Sequence, residues 1–181
     1  MIGTMKEMAL TSRAVLLAFL TAASLVLAAS SASAATASAV LKDKDGKEVG
    51  KATLTDTPSG VLILLDLGAA PAGTQAFHIH ETGKCEPPDF KSAGGHFNPD
   101  GTEHGILNPE GPHAGDMPNI HVPADGKLTI EVLNTLVSVD GERALLDDDG
   151  SALMIHAAPD DYKTDPAGGA GHRIACGVIG Q

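Results

Sequence analysis

The sequence predicts an all-β domain, an antiparallel sandwich or barrel of about seven or eight short strands. Three observations support this fold class. Apolar and polar residues alternate in short segments, Asp-Gly and Ser-Gly turn signals separate these segments, and no long stretch after the N-terminal region shows helical periodicity. We expect antiparallel strands because most connections are too short to contain a crossover helix.

The predicted strands follow one another with turns between them. The strongest is segment 61–67, whose sequence VLILLDL is rich in Leu, Val and Ile. Segment 74–80 alternates again and ends in the sequence HIH, so its two histidines point to the same face. The predicted strands are, in order, 37–49, 51–57, 61–67, 74–80, 127–133, 152–156 and 174–179.

Two long segments interrupt this pattern. Residues 81–119 are rich in Gly, Pro, Asp and His, and residues 157–172 are again rich in Gly, Pro and Asp. Loops of this length in a compact domain are usually functional or disordered. The density of histidines favours an ordered, functional loop for the first segment, and we call the two segments the first and second long loops.

The N-terminal segment has the pattern of a secretory signal. Lys6 and Arg13 precede an uncharged apolar run over residues 14–29, and A-x-A sites follow at 32–34 and 37–39. The apolar run is shorter than the roughly 20 residues that a membrane helix requires. An uncleaved anchor helix is the alternative interpretation.

We therefore expect a secretory signal peptide over residues 1–34, with cleavage after Ala34 or Ala39. Residues 35–181 then form one acidic domain that is periplasmic or secreted, with no stable membrane span after processing. The formal net charge of −11 argues against a nucleic-acid partner or an anionic membrane surface. The unusual feature of the composition is its 8 histidines, because histidine is the commonest metal ligand.

Cys85 and Cys176 are the only cysteines of the chain. An even number of cysteines in an exported chain favours a disulfide. Two buried free thiols or two thiolate metal ligands are the alternatives. Neither cysteine belongs to a C-x-x-C motif, and export places both in an oxidising compartment, so the disulfide is favoured.

Histidines and aspartates are spaced in a way that predicts a metal site. A strand that carries His78 and His80 on one face offers two imidazoles side by side, although surface histidines show the same pattern. The first long loop adds three imidazoles and a carboxylate, a complete ligand set for a closed tetrahedral zinc site. A further histidine ends the strand 152–156. These additional residues are His96, His104, His113, Asp116 and His156.

These residues lie in motifs that resemble the copper/zinc superoxide dismutase family of the exported bacterial kind. The resemblance covers essentially the whole chain after the signal, with the motifs in the same order, and several long motifs together are far more specific than any one. They are FHIHE at 77–81, CEP at 85–87, GGHFNP at 94–99, HG at 104–105, HAGD at 113–116, LDDDGSA at 146–152 and GHRIACGVI at 171–179.

The resemblance implies an eight-stranded antiparallel Greek-key barrel or sandwich with two long functional loops. It implies an antioxidant enzyme that converts superoxide to dioxygen and hydrogen peroxide by alternate reduction and oxidation of a copper ion. One copper and one zinc per subunit are the implied cofactors, bridged by the imidazolate of His96. Copper is held by His78, His80, His96 and His156, and zinc by His96, His104, His113 and Asp116.

The resemblance also implies roles for residues around the metals. Asp160 is the carboxylate that links a copper-bound to a zinc-bound imidazole, with Asp161 as the alternative. Arg173 lines the copper channel, where its guanidinium attracts the anionic substrate, and it forms the catalytic set together with His96. The mouth of the channel has nearby lysines as further candidates, namely Lys84, Lys91 and Lys163.

Two histidines remain outside the implied ligand set. His121 is interpreted as a surface or strand-end residue, and His172 adjoins Arg173. The main alternative function is a non-catalytic extracytoplasmic copper/zinc-binding protein on the same fold. A partner-binding sandwich with incidental histidines is a further alternative. A degenerate domain is expected to lack a copper ligand or the channel arginine, and this chain lacks neither. Both a homodimer and a monomer are compatible with the resemblance.

Overall fold

The computed structural model describes residues 34–181, which form nine β-strands and one short 3-10 helix. The predicted signal peptide, apart from Ala34, lies outside the described residues. Among the described residues, no helix has the length and apolar character needed to cross a bilayer. The elements are β1 Thr36–Asp43, β2 Glu48–Thr57, β3 Gly60–Leu67, β4 Gly73–Gln75, β5 Phe77–His80, the 3-10 helix Lys91–Ala93, β6 Ile120–Val122, β7 Leu128–Asn134, β8 Ala152–His156 and β9 Arg173–Val178.

Seven strands form one curled sheet in the order β5-β8-β9-β1-β2-β3-β7, and β4 pairs with β6 in a second, two-stranded sheet. Every strand pair within these two sheets is antiparallel. The chain passes from β3 near one end of the large sheet to β5 at the other end, and then returns to β7 beside β3. The all-β, antiparallel prediction is therefore confirmed.

The described chain has nine strands where seven segments were predicted, and the differences have local causes. The predicted strand 37–49 covers β1 and the start of β2, because the Asp43 carboxylate accepts hydrogen bonds from the backbone N–H groups of Asp45 and Lys47 and closes a turn between them. The predicted strand 74–80 is interrupted at Ala76, whose N–H donates to the second long loop at 2.9 Å. Strand β6 was not predicted because its three residues are too short to show alternation.

The sheet buries one face of most strands and both faces of two strands. Strand β1 alternates between exposed and buried residues, whereas every residue of β5 and β8 is buried. Phe77 and Ile79 on β5, and Leu153 and Ile155 on β8, belong to the main apolar core. The intervening residues of these two strands lie on the opposite face, beneath the long loops.

A disulfide between Cys85 and Cys176 joins the first long loop to β9, as predicted. Phe90, Ala93 and Met154 pack with Cys176 in a second, smaller apolar cluster next to this bond. The loop that carries the predicted ligands is thus attached to the sheet by a covalent bond and by buried apolar contacts.

Candidate metal centre

Strand β5 carries two histidines on the face that the first long loop covers. His78 and His80 are both buried, while Ile79 between them packs in the core. Their backbone pairs with β8, so the two imidazoles project from a strand that is hydrogen-bonded in the large sheet. The alternation predicted for HIH is therefore present in the structure.

The backbone of the first long loop pairs with β5 and brings further predicted ligands to it. Ile79 N–H donates to Gly115 O at 2.9 Å, and Phe97 N–H donates to Ile79 O at 2.9 Å. Isolated bridges consequently place His96 and Asp116 beside the two β5 histidines. Two residues that are distant from β5 in sequence thus become its immediate neighbours.

One cluster, the four-histidine group, contains only imidazoles. Its ligand nitrogens all lie within 4.8 Å of one another. The Nε2 atoms of His80 and His156 are 3.4 Å apart, close enough for a shared ion. His156, at the end of β8, therefore joins the β5 pair. The members of this group are His78, His80, His96 and His156, all buried.

The second cluster, the three-histidine-aspartate group, converges on one carboxylate oxygen. Oδ1 of Asp116 lies 2.7 Å from His96 Nδ1, 3.1 Å from His104 Nδ1 and 3.4 Å from His113 Nδ1. A zinc ion with ligands at about 2.0 Å in tetrahedral geometry separates neighbouring ligand atoms by about 3.3 Å. The spacing of these donors therefore suits a tetrahedral ion. The members of the group are His96, His104, His113 and Asp116.

Unpartnered nitrogen atoms provide a separate test of whether metals fit. His78 Nδ1 and His96 Nε2 are buried, and neither has a hydrogen-bond partner among the described residues. Buried polar atoms are normally satisfied, so two such nitrogens in one cluster are suited to bind metal ions. His96 belongs to both groups, with Nδ1 directed to Asp116 and Nε2 in the four-histidine group. The residues fit two ions that share one imidazole.

Asp160 connects the two groups through their outer nitrogens. Its Oδ2 accepts from His78 Nε2 at 2.8 Å, and its Oδ1 accepts from His104 Nε2 at 2.9 Å. The side chain of Asn119 bonds both the N–H and the C=O of Asp160, at 2.8 and 2.9 Å. Gly168 packs against the same carboxylate at φ +63°, and a Cβ there would overlap Oδ1, so only glycine fits.

Arg173, at the start of β9, lies half-buried beside the four-histidine group. Its Nη1 donates to Phe90 O at 2.7 Å and its Nη2 donates to Gly94 O at 2.6 Å. Gly94 O also accepts from His80 Nδ1 at 3.0 Å. The guanidinium is therefore held by the loop that contains the 3-10 helix, next to a member of the four-histidine group.

Comparison with protein families agrees with this geometry. The model of the family described as copper/zinc superoxide dismutase (SODC) matches residues 48–179. The chain belongs to the copper/zinc superoxide dismutase family. It is 56% identical over 140 residues to superoxide dismutase [Cu-Zn] 1 of Aquifex aeolicus, covering 76% of this chain and 83% of that protein. It is 52% identical over 147 residues to superoxide dismutase [Cu-Zn] of Caulobacter vibrioides, covering 79% and 84%.

Solved structures of superoxide dismutases and related proteins share this fold. A superoxide dismutase-like protein from Bacillus subtilis matches with a TM-score of 0.75 and 42% identity, over 78% of this chain and 96% of that one. Cu/Zn superoxide dismutase from Brucella abortus matches with a TM-score of 0.67 and 31% identity, over 80% and 99%. The sandwich predicted for the chain is therefore the fold of its family.

Burial keeps three histidines of the four-histidine group neutral in this member of the superoxide dismutase family. Burial lowers the pKa of His78 to about 4, of His156 to about 3 and of His80 to about 2. Although burial opposes the change, hydrogen bonds from His96 and the Gly105 N–H lower the pKa of Asp116 to about 2. Neutral imidazoles and an ionised carboxylate are the forms that bind metal ions.

The metal-free protein is expected to lose stability as the pH falls below about 6.5. The unfolded chain protonates His78, His80 and His156 near their ordinary pKa of 6.5, whereas the folded chain protonates them only near 4 and below. The unfolded state then binds more protons, so the free energy of unfolding decreases with decreasing pH. Asp116 and Asp160 decrease the free energy of unfolding further below about pH 4, because their pKa values are also lowered in the folded chain.

Urea denaturation of the metal-free protein at pH 7.5 and at pH 5 measures this effect. Replacement of the exposed His121 by Ala provides a control that should leave the difference unchanged. Equal free energies of unfolding at the two pH values would contradict the burial of three neutral histidines.

The remaining residues singled out from the sequence lie around the site. His121 is exposed on β6, 3.0 Å from Thr74 Oγ1, outside both groups. His172 is exposed beside Arg173. The alternative carboxylate, Asp161, is exposed and accepts hydrogen bonds from its own loop, so it does not take the position of Asp160. The three candidate lysines are all exposed: Lys84, Lys91 and Lys163.

Two residues that support the site were not predicted from the sequence. Asn119 holds the backbone of Asp160, and Glu81 accepts a hydrogen bond from Gly95 N–H at 2.7 Å. Asn119 lies in none of the quoted motifs, and Glu81 ends the FHIHE motif without chemistry of its own in that pattern. Their contacts arise only when distant segments meet in the fold.

Proposed function

We propose that the chain is an exported copper/zinc superoxide dismutase. It converts two superoxide ions and two protons to dioxygen and hydrogen peroxide. The observation that carries this proposal is the pair of buried ligand groups that share His96, in a chain that belongs to this family. An intact four-nitrogen group beside a held arginine favours catalysis over simple metal storage.

We assign copper to the four-histidine group and zinc to the three-histidine-aspartate group. Four imidazoles suit an ion that must be stable in two oxidation states, while three imidazoles and a carboxylate suit zinc. When bound, copper supplies the one-electron oxidation and reduction, and zinc supplies a positive charge that does not change oxidation state. Asp160 orients His78 and His104 by accepting from their outer nitrogens.

His96 is the proposed proton carrier. Its Nδ1 is directed to Asp116 at 2.7 Å, which leaves Nε2 as the nitrogen that can gain or lose a proton. That nitrogen is buried, and His96 is a member of the four-histidine group, where superoxide would react. His96 Nε2 can therefore donate one of the two protons that hydrogen peroxide requires, and solvent supplies the other.

Arg173 is the proposed anion-binding group. Two of its five N–H donors bond to Phe90 O and Gly94 O, so the guanidinium has a defined direction with further donors to offer an anion. The chain as a whole is acidic, with a formal net charge of −11, and repels superoxide at long range. Attraction of the substrate must therefore be local, and Arg173 is the cation held beside the four-histidine group.

Metal content and superoxide turnover of the purified protein test this proposal together. We expect one copper and one zinc per chain, with dismutation that approaches the diffusion limit when followed by pulse radiolysis. A protein that carries both metals but shows no turnover would contradict the enzyme and favour a metal carrier. Sedimentation velocity on the same sample distinguishes a monomer from a homodimer.

We further propose that the signal peptide is removed after Ala34. Cleavage after Ala39 would remove the first half of β1, in which Thr36–Ala39 pairs with β2 and buries Ala37 and Ala39 in the core. Cleavage after Ala34 leaves β1 intact. The Cys85–Cys176 disulfide supports export to the periplasm or the exterior, where disulfides persist.

We expect the mature protein to begin at Ala35, as measured by intact-mass spectrometry of the exported chain. A chain that begins at Val40 should be less stable to urea than the chain that begins at Ala35, because half of an inner strand is missing. Isolation of a stable mature protein that begins at Val40 would contradict this cleavage site.

A further inference from the structure

One backbone carbonyl directs two side chains of the proposed active site. Gly94 O accepts from Arg173 Nη2 at 2.6 Å and from His80 Nδ1 at 3.0 Å. Donation by Nδ1 leaves Nε2 of His80 as the nitrogen that faces the four-histidine group. The direction of this carbonyl therefore determines both where the guanidinium lies and how the His80 ring is oriented.

The peptide that contains this carbonyl has little intrinsic rigidity. It joins Gly94 to Gly95, and glycine lacks the Cβ that restricts backbone rotation. Gly94 has φ +73°, in the left-handed region that favours glycine. A peptide between two glycines can turn with little steric resistance, so some other contact must hold the carbonyl in place.

Glu81 supplies that contact from the opposite side of the peptide. Its Oε1 accepts from Gly95 N–H at 2.7 Å, and its own backbone N–H donates to Gly95 O at 3.0 Å. The N–H of Gly95 and the C=O of Gly94 belong to one planar trans unit and point in opposite directions. Holding the N–H therefore holds the carbonyl, and a bond to a carboxylate is stronger than one between neutral groups.

The carboxylate of Glu81 also packs directly on the peptide that it holds. A Cβ built on Gly94 would lie 2.5 Å from Glu81 Oε1, so the space above Gly94 is filled by this side chain. Glu81 directly follows His80 at the end of β5, a strand paired within the large sheet. The contact thus connects the Gly94–Gly95 peptide to the end of a fully buried strand.

We infer that Glu81 is a positioning residue that holds Arg173 and His80 in place through the Gly94–Gly95 peptide. This inference rests on the proposed function of the site. It assigns to an exposed acid a role that acts on substrate binding without touching the substrate. The negative charge of Glu81 by itself opposes the reaction, since it adds to the repulsion of an anion.

The hydrogen bond and the charge of Glu81 therefore have opposite expected effects on superoxide turnover. Two substitutions separate the two contributions. Glu81→Gln keeps an oxygen that can accept from Gly95 N–H but removes the charge, whereas Glu81→Ala removes both. If Glu81 only repels superoxide, both variants gain activity. If it holds the peptide, Glu81→Ala loses activity even though a negative charge is removed. Glu131→Gln, on the exposed side of edge strand β7, is the control for loss of one negative charge.

Three measurements on the copper- and zinc-loaded proteins test the inference. Azide titration by absorbance reports anion binding, hydrogen exchange of the Gly95 amide in the reduced, diamagnetic protein reports the contact itself, and pulse radiolysis reports turnover. For Glu81→Ala we expect about tenfold weaker azide binding, about tenfold faster Gly95 exchange and lower turnover, in the range found for outer-shell partners. For Glu81→Gln we expect azide binding within about twofold of the original protein, and equal or higher turnover.

Specific outcomes overturn the inference. Increased turnover in both variants would show that only the charge matters, and unchanged Gly95 exchange in Glu81→Ala would show that the contact does not hold the peptide. Glu81→Met, which fills the same space without an acceptor, replaces the alanine variant if that variant folds poorly. Absence of turnover in the original protein would contradict the proposed function, while azide binding and Gly95 exchange would still decide the role of Glu81.

Discussion

Replacement of His156 by alanine is expected to reduce superoxide turnover by more than about a hundredfold while the β-sheet remains folded. His156 offers Nε2 to the four-histidine group, 3.4 Å from His80 Nε2. Loss of outer-shell partners costs about 10- to 100-fold in metal affinity or activity, and loss of a direct ligand should cost more. The strand itself is held by backbone bonds, including His156 N–H to Ala76 O at 3.0 Å, which alanine retains.

Pulse radiolysis and metal analysis of the His156→Ala variant measure this effect. Zinc should remain near the level of the original protein, because His156 is not a member of the three-histidine-aspartate group. His121→Ala is the matched control, since it removes an exposed imidazole outside both groups. Turnover close to that of the original protein, in a variant that carries full copper and zinc, would contradict the metal assignment.

Replacement of both Cys85 and Cys176 by serine is expected to lower the free energy of unfolding by about 4 to 5 kcal/mol. The bond joins residues separated by 91 positions, and a crosslink of that span removes this much entropy from the unfolded chain in the loop-closure model. Urea denaturation of the metal-free proteins measures the difference. The double replacement leaves no free thiol that could form intermolecular bonds.

The same replacement is also expected to weaken anion binding. Phe90 O and Gly94 O, which hold the Arg173 guanidinium, lie in the loop that the disulfide joins to β9. A loosened loop should orient Arg173 less well, so azide should bind more weakly to the copper- and zinc-loaded variant. Reduction and alkylation of the original protein provides an independent comparison. Unchanged stability and unchanged azide binding would contradict a structural role for the bond.

Local patterns in the sequence were sufficient to predict most of the strands. Segment 61–67 forms all of β3 except its first residue, and segment 152–156 coincides with β8, because their apolar residues alternate or cluster over a length typical of strands. The HIH sequence at the end of β5 correctly predicted two imidazoles on one face. In each case, the information lies within a few neighbouring residues.

The sequence was less informative where distant segments meet. The division between β4 and β5 at Ala76 depends on a hydrogen bond from its N–H to Ala158 O. The position of Asp116 beside His78 depends on loop backbone that pairs with β5. The two hydrogen bonds between the Asn119 side chain and the Asp160 backbone join residues 41 positions apart. No period or motif encodes these contacts, so they appear only in the folded chain.

Asp160 couples the binding of the two metal ions. One carboxylate contacts His78 of the four-histidine group and His104 of the three-histidine-aspartate group, and its two oxygens cannot shift independently. An ion that fixes one of these imidazoles also orders the other, which lowers the entropic cost of binding the second ion. Thermodynamic reciprocity then requires that each ion raise the affinity for the other by the same factor. Copper and zinc loading should therefore be cooperative in either order of addition.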